Sequence, residues 1–246
     1  MLDLRNNKFY GTVLETFAKG NNLRSLNLNE NQLEGPLPQS LVNCVHLEVL
    51  DLGNNKINGI FPHWLGTLPN LLVLVFQGII GNPKTKFTFT NLQIIDIYHN
   101  EFHGCLPTKY FNQLKAMMNA TAEIGELKYV SENYYQDSVM EVMKGLSIEL
   151  LKIQNLFTTI DCSYNGFIGE IPKSIGKLKS LKGLNISHKK HTVNMSLSLE
   201  HLTNLEWLDL SSNKLMGDIL GQLVDLTTLE VLNLSRSCLS WTNTSR

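Results

Sequence analysis

Cysteine is scarce and scattered. The four, Cys44, Cys105, Cys162 and Cys238, form no CxxC pair, so the chain carries no zinc, redox or disulfide-framework signature. Seven prolines and 17 glycines in 246 residues are too few for a low-complexity linker protein. Charge is also sparse, at 17% of residues with a formal net charge of -1, so composition gives no starting point for a nucleic-acid partner. The longest apolar run, Leu71 to Phe76, is far too short to cross a bilayer. Asp3 and Arg5 interrupt the start of the chain, which therefore does not read as a secretory signal peptide.

What is abundant is leucine, with 42 copies, and asparagine, with 26. Asparagine is not a usual leader of globular compositions, so its surplus points to a recurring motif. Asn7, Asn31 and Asn55 lie 24 residues apart, and Asn165 and Asn213 lie 48 apart. Around each runs one template, L-x-x-L-x-L-x-x-N-x-L-x-G-x-[IL]-P, clearest at Leu23, Leu26, Leu28, Asn31, Leu33, Gly35, Leu37 and Pro38. It returns at Leu47 to Pro62 and at Leu92 to Pro107, with later copies starting at Phe157, Leu181, Leu205 and Leu229. With a partial copy at Leu2 and a degenerate one at Leu71, nine units are expected.

This pattern resembles the leucine-rich repeat. The L-x-L pair implies a short strand with both leucines inward and the x positions on the other face. Asparagine then turns the chain, because its amide can both donate to and accept from backbone groups at the bend. The expected fold is an α/β repeat, a right-handed solenoid with a parallel sheet on its concave side. Asn31, Asn55, Asn100, Asn165 and Asn213 are its turn residues, and ladder breaks are expected where Ile79, Lys189 and Ser237 replace asparagine. The G-x-[IL]-P element resembles the plant-specific class of repeat.

Between Asn100 and Asn165 the spacing grows to 65 residues. One repeat and an insertion fit that gap, giving repeats over 1–107, an island over 108–156, repeats over 157–239 and an aberrant tail over 240–246. Phe111, Leu114 and Met118 fit a short amphipathic helix on the solenoid. Ser138 to Met143 and Leu146 to Leu151 read as a hairpin turning at Lys144-Gly145.

The island, with Tyr135, eight intervening residues and then Lys144-Gly145, resembles the ectodomain of plant leucine-rich-repeat receptor-like proteins, similar to the tomato Cf and Verticillium-resistance proteins. The resemblance covers nearly the whole chain to Leu239. It implies a cell-surface receptor on the extracellular side of the plasma membrane, without a kinase domain, in defence or developmental signalling. A peptide, protein or glycan ligand on the concave face and a receptor-kinase co-receptor are the implied partners, with no cofactor and no nucleic acid. Such proteins carry caps, more repeats and a transmembrane helix, so a truncated member is expected. The alternative is a soluble decoy or inhibitor resembling polygalacturonase-inhibiting proteins, whose solenoid is uninterrupted.

Candidate contacts follow from the x positions of the strands: Asn27, Asp51, Asp96, Tyr98, Asp161, Tyr164 and Asp209, with His188 nearby. Such a row is either a ligand strip or a polar sheet face whose side chains bond one another. Tyr135 and Lys144 either contact a partner or fix the hairpin, and Gly145 supplies the turn. Sequons at Asn119, Asn185, Asn194, Asn233 and Asn243 are candidate glycosylation sites. Catalysis finds no support. His99 and His103 bracket Glu101, whereas a zinc protease needs glutamate directly after the first histidine on a helix. Cys162 takes a buried leucine position, and no phosphate loop or nucleophile elbow is present.

Overall fold

The computed structural model describes residues 1–81, 89–100, 102–106, 108–118, 139–143, 146–150, 157–188, 197–215, 223 and 226–237. Nine parallel rungs form one sheet in chain order: Leu2–Asp3, Ser25–Asn27, Val49–Ile60, Val73–Gly81, Ile94–Asp96, Thr159–Asp161, Gly183–Asn185, Trp207–Asp209 and Val231–Asn233. The register preserves the repeat, with Leu26 opposite Leu50, Leu50 opposite Leu74 and Leu184 opposite Leu208. Ile95 lies opposite Ile160. The sheet therefore closes across the 65-residue interval as though the intervening chain were absent. Leucine builds this sheet because each rung places one side chain directly above its equivalent. Leu26, Leu50, Leu74, Leu184 and Leu208 form a continuous buried column in the main core.

After each rung the chain crosses to the convex side. There Tyr10–Thr12 pairs with Gln32–Gly35, and His103–Cys105 pairs with Gly166–Ile168, both parallel. Short 3-10 turns at Gln39–Asn43, His63–Thr67, Lys173–Lys177 and Leu197–His201 complete the coils. Pro38, Pro62 and Pro172 stand immediately before three of these turns, where the lack of an N–H costs nothing.

One boundary moves. Thr108–Phe111 and Lys115–Met118 are two single-turn helices, and Phe111, Leu114 and Met117 are buried in the main core. The backbone N–H of Ser180 donates to the Met117 carbonyl, and Lys177 Nζ donates to Asn112 Oδ1. Residues 108–118 thus occupy the convex side of the Asn100 repeat. Residues 108–118, expected as the start of the island, fill the solenoid core with Phe111, Leu114 and Met117 instead of lying on its surface. The hairpin is present: Val139–Met143 and Leu146–Leu150 run antiparallel, with Met143 opposite Leu146. Residues 240–246 lie outside the described residues.

The asparagine ladder has the chemistry expected of it. Asn55 Nδ2 donates to the carbonyls of Leu52 and Gly53 in its own rung and of Leu28 in the preceding one, and its Oδ1 accepts from Leu33 N–H. Asn31, Asn100, Asn165 and Asn213 repeat the donation to the preceding rung, at Leu4, Phe76, Ile97 and Ile186. Where the column is broken the consequence is local. Ser237 Oγ reaches the Leu210 carbonyl at only 3.4 Å. One rung after Lys189, the Oδ1 of Asn213 is buried with no partner. The side chains of Ile79 and Lys189 lie outside the described residues.

The row of polar x positions takes a form not foreseen. At the x position before the last leucine, the carboxyl or amide oxygen of Asp3, Asn27, Asp51, Asp96, Asp161, Asn185, Asp209 and Asn233 accepts the backbone N–H two residues on. This is the Asx turn, which these two residue types form because their short side chains reach that N–H. Each turn leads into a left-handed residue just before the ladder position: Asn6, Glu30, Asn54, His99, Tyr164, His188, Ser212 and Arg236 have φ of 49 to 56°. Such a conformation costs a non-glycine residue about 1–3 kcal/mol. Hydrogen bonds in series hold it, as His99 N–H donates to the Ser163 carbonyl, Tyr164 N–H to Ser187 and His188 N–H to Ser211.

Both rows generate predictions. Asn55→Ala strands three buried carbonyls and one N–H, so it should cost about 2–4 kcal/mol, whereas Asn7→Ala at the exposed first rung should cost under about 1 kcal/mol. Chemical unfolding of the two variants checks the order, and equal losses would contradict the ladder. Burial, above all, pushes the Asp51 carboxyl up to about 6, against the donors Gly53 N–H and Asn29 Nδ2 and the charge of Arg5. With its folded value raised, the stability it contributes is full below about pH 4 and lost as pH rises through about 6. Asp51→Asn keeps the turn, as Asn27 and Asn185 do in the same row. The variant should be about 1–3 kcal/mol more stable than the parent at pH 8 and equal to it near pH 4, read from unfolding curves at the two pH values.

Candidate functional site

The structure sorts the concave residues into a floor and a ridge. Asn27, Asp51, Asp96 and Asp161 are buried, and Asp209 is half-buried. Their oxygens are committed to the Asx turns, and three of these residues exchange further bonds along the row. Asn29 Nδ2 lies 3.1 Å from both Asp51 oxygens, and Asn185 Nδ2 donates to Asp161 Oδ2 at 2.8 Å. The expectation that Asn27, Asp51, Asp96 and Asp161 contact a ligand is corrected: they form the floor, because an unpaired backbone N–H there would cost more than an exposed carboxylate gains. Asp209 serves the same turn and accepts Asn233 Nδ2. In the middle of the floor the acidic row gives way to apolar residues. Val49, Val73, Val75 and Ile94 form a second buried cluster, with Leu72 and Phe157 packed against it.

Farther along, Gly183 makes room for an indole. A Cβ at Gly183 would stand 2.2 to 2.4 Å from three atoms of Trp207, which no substitution there could accommodate. Among the described residues, Trp207 Nε1 and Thr159 Oγ1, in the same cross-strand row, are buried without a hydrogen-bond partner.

Above this floor stand four rings. Tyr98 packs edge-on against Tyr164, with centroids 5.3 Å apart. His99 lies 5.6 Å from Tyr98 and 6.3 Å from Tyr164. His188 stacks on Tyr164 at 3.9 Å, with an interplanar angle of 19°. The left-handed turns explain the gathering: His99, Tyr164 and His188 occupy that position in three successive rungs, so their side chains leave the backbone in one direction, a strand spacing apart. Tyr164 remains 44% exposed. Gln77 Nε2 donates to the His99 carbonyl and approaches its Nδ1 at 3.5 Å. The hydroxyls of Tyr98 and Tyr164 and the imidazole of His188 have no hydrogen-bond partner among the described residues. A row of phenol and imidazole edges facing solvent can stack with, donate to and accept from a ligand, and it lacks the nucleophile and base pairing of a catalytic centre.

Two of these rings, Tyr98 and Tyr164, stand among the residues selected from the strand alternation, and His188 beside them. His99 holds the same left-handed position as Tyr164 and His188 and is not among them. Its signal is position: it directly precedes the ladder asparagine. Tyr135, Lys144, Gly145, Asn119, Asn194 and Asn243 lie outside the described residues. Asn185 is corrected as a glycan acceptor, since its amide is buried and donates to Asp161 and Ser163. The Asn233 amide is likewise engaged, with Asp209. Among the described residues no group of three histidine, cysteine or acidic side chains could hold a metal, and no helix is long and apolar enough to cross a membrane.

Comparison with known proteins agrees with this architecture. Leucine-rich-repeat family models match residues 1–57, 157–178 and 204–226. Receptor-like protein 53 of Arabidopsis thaliana is 44% identical over 127 residues, which is 50% of this chain and 13% of that protein. Receptor-like protein 33 of the same plant is 41% identical over 183 residues, 73% of this chain and 21% of that one. The chain thus spans between an eighth and a quarter of the length of these relatives. Among solved structures, the Arabidopsis receptor kinase HAESA, in complex with the peptide hormone IDA and the co-receptor SERK1, superposes with a TM-score of 0.70 at 26% identity over 97% of this chain and 34% of its own. The peptide hormone receptor RGFR1, with RGF2, shares the fold at a TM-score of 0.64 and 22% identity, over 97% of this chain and 40% of its own. Rung pairing, asparagine ladder and sequence identity converge: the chain belongs to the plant leucine-rich-repeat receptor-like proteins.

Proposed function

We propose that this chain forms part of the ligand-binding surface of a cell-surface receptor-like protein, and that the ring ridge on its concave side is where a peptide or protein ligand lies. The observation that carries the reading is the ridge itself. Four ring side chains from successive turns share one edge of the sheet, they retain free polar atoms, and nothing in the hydrogen-bond network of the floor requires them. Aromatic rings give contact area at small entropic cost, which is why they dominate binding hot spots. HAESA, which superposes on this chain, is a receptor kinase seen with a peptide hormone and a co-receptor, and that supports a peptide ligand and a kinase partner here. Attachment at the extracellular face of the plasma membrane and a role in defence or development follow from the same kinship. Action is by surface complementarity rather than catalysis. The antiparallel pair Val139–Met143 and Leu146–Leu150 between the two blocks of repeats favours this reading over a soluble inhibitor with an uninterrupted solenoid.

Amide hydrogen exchange on the secreted chain, with and without size-fractionated peptides from plant extracellular fluid, is the test. A binding fraction should slow exchange at Asp96 to Asn100 and Asp161 to Asn165 while leaving the convex strands Tyr10–Thr12 and His103–Cys105 unchanged. Replacing Tyr164 and His99 together by serine should weaken that protection about tenfold or more, the loss expected for a binding hot spot. Protection confined to the convex strands would overturn the reading.

A further inference from the structure

The ridge rests on two carboxyl groups. Asp96 and Asp161 lie directly opposite each other on paired strands, both buried, and each is tied to one ring-bearing turn. Asp96 Oδ1 accepts the Tyr98 N–H at 2.7 Å, and Asp161 Oδ1 accepts the Ser163 N–H at 2.7 Å. These are the shortest of the Asx-turn bonds in the row; the others run from 2.8 to 3.2 Å. The two acids are not equivalent. Asp161 also receives Ser163 Oγ–H at 2.6 Å and Asn185 Nδ2–H at 2.8 Å, so three donors stabilise it as the anion. Asp96 receives one donor, and burial with Asp161 beside it raises its carboxyl well above the usual carboxylate range.

We infer that Asp96 and Asp161 form a proton-operated latch under the ridge: a proton on Asp96 keeps the Tyr98–His99 and Ser163–Tyr164 turns side by side, and its release drives the two turns apart. The inference rests on the ridge being the contact surface, and it makes ligand binding there strongest in acid. The groups around the pair give the direction. On the preceding rung Val75 stands in register with Asp96 and carries no charge, and beyond it Asp51 adds repulsion. On the following rung Asn185 supplies only its amide to Asp161. Tyr98 and Tyr164 face the pair from the turns themselves. The Tyr98 hydroxyl is raised by burial first, then by Tyr164, Asp161 and Asp96, so the charge of the pair is felt at the rings. Among the described residues, the charged groups acting on Asp96 are Asp161 and Asp51, and no cation offsets them. With the folded value raised, the latch is closed below the ordinary carboxylate range and opens as pH rises through the folded value.

The test is fluorine NMR of the chain labelled with 3-fluorotyrosine, the Tyr98 and Tyr164 signals being assigned with Tyr98→Phe and Tyr164→Phe. As pH is raised from the ordinary carboxylate range toward, but short of, the ionisation of the phenol itself, the Tyr164 signal should titrate in the parent chain. In Asp96→Asn it should stay at its acid position throughout, because that amide keeps the turn and can donate to Asp161 as Asn185 does. Asp51→Asn is the control for a merely structural carboxyl. It sits in the same row below a turn without rings, and it should shift unfolding with pH while the Tyr164 titration persists, displaced toward acid by the loss of Asp51's repulsion on Asp96. A titration that persists in Asp96→Asn, or none in the parent chain, would overturn the latch. If the latch fails in this way while peptides still protect Asp96 to Asn100 from exchange, the binding surface stands and only its proton control is lost.

Discussion

At the bend that ends each rung, backbone carbonyls turn into the interior where no strand can receive them, and one asparagine amide must satisfy them. A single Nδ2 bridges two carbonyls of its own rung and one of the rung before, as Asn55 and Asn165 do. The bond to the preceding rung is the one that matters for the whole. It fixes the rise between rungs at the hydrogen-bonding distance of the strands, so leucines stack on leucines and the core becomes a column. An isolated repeat could not bury its leucines at all. Core packing is therefore downstream of the ladder.

The Asx row solves the complementary problem. Where the ladder supplies donors to orphan carbonyls, Asp and Asn at the x position supply acceptors to an orphan N–H, and the pair of rows holds the residue between them in the left-handed region. Eight side chains as different as Glu30, His99, Tyr164 and Arg236 adopt nearly the same φ, although only the Asn and His among them belong to types enriched there. Tertiary hydrogen bonding overrides local preference here. The rule has one interruption in the middle of the sheet, at Val75, and there the polar floor turns apolar with Val49, Val73 and Ile94.

Much of this is legible in the sequence because it repeats. The leucine and asparagine columns, the nine rungs and the hairpin around Lys144-Gly145 follow from spacing, since register in a solenoid is a property of sequence period. The errors share one cause. Period-two alternation assigns Asp51, Asp96 and Asp161 to an open face, but alternation knows the direction of a side chain and not whether a neighbour or a nearby N–H consumes it. Phe111 and Leu114 carry helical spacing, yet spacing cannot say that their segment breaks into two single turns and fills the repeat core instead of covering its surface. The ridge was half visible for the same reason: Tyr98 points outward by alternation, while His99, Tyr164 and His188 are brought beside it by left-handed turns held from the next rung.

That division of labour explains where a receptor built this way can vary. The leucine, asparagine and Asx columns each satisfy a fixed demand of the backbone, and a change there is paid in stability. The left-handed column does not, because its conformation is imposed through main-chain bonds to the next rung and its side chain contributes nothing to them. Residue identity at that position is thus free of the fold while its direction is fixed by the fold, which is the combination a recognition surface needs. In this chain that freedom is spent on His99, Tyr164 and His188 in three consecutive rungs, with their rings one strand spacing apart. Each Asx turn leads into its left-handed residue, and at Asp96 and Asp161 two opposed acids stand beneath that joint. Asp96 and Asp161 hold the turns that carry the rings, so a charge change in the floor reaches the surface without any movement of the core.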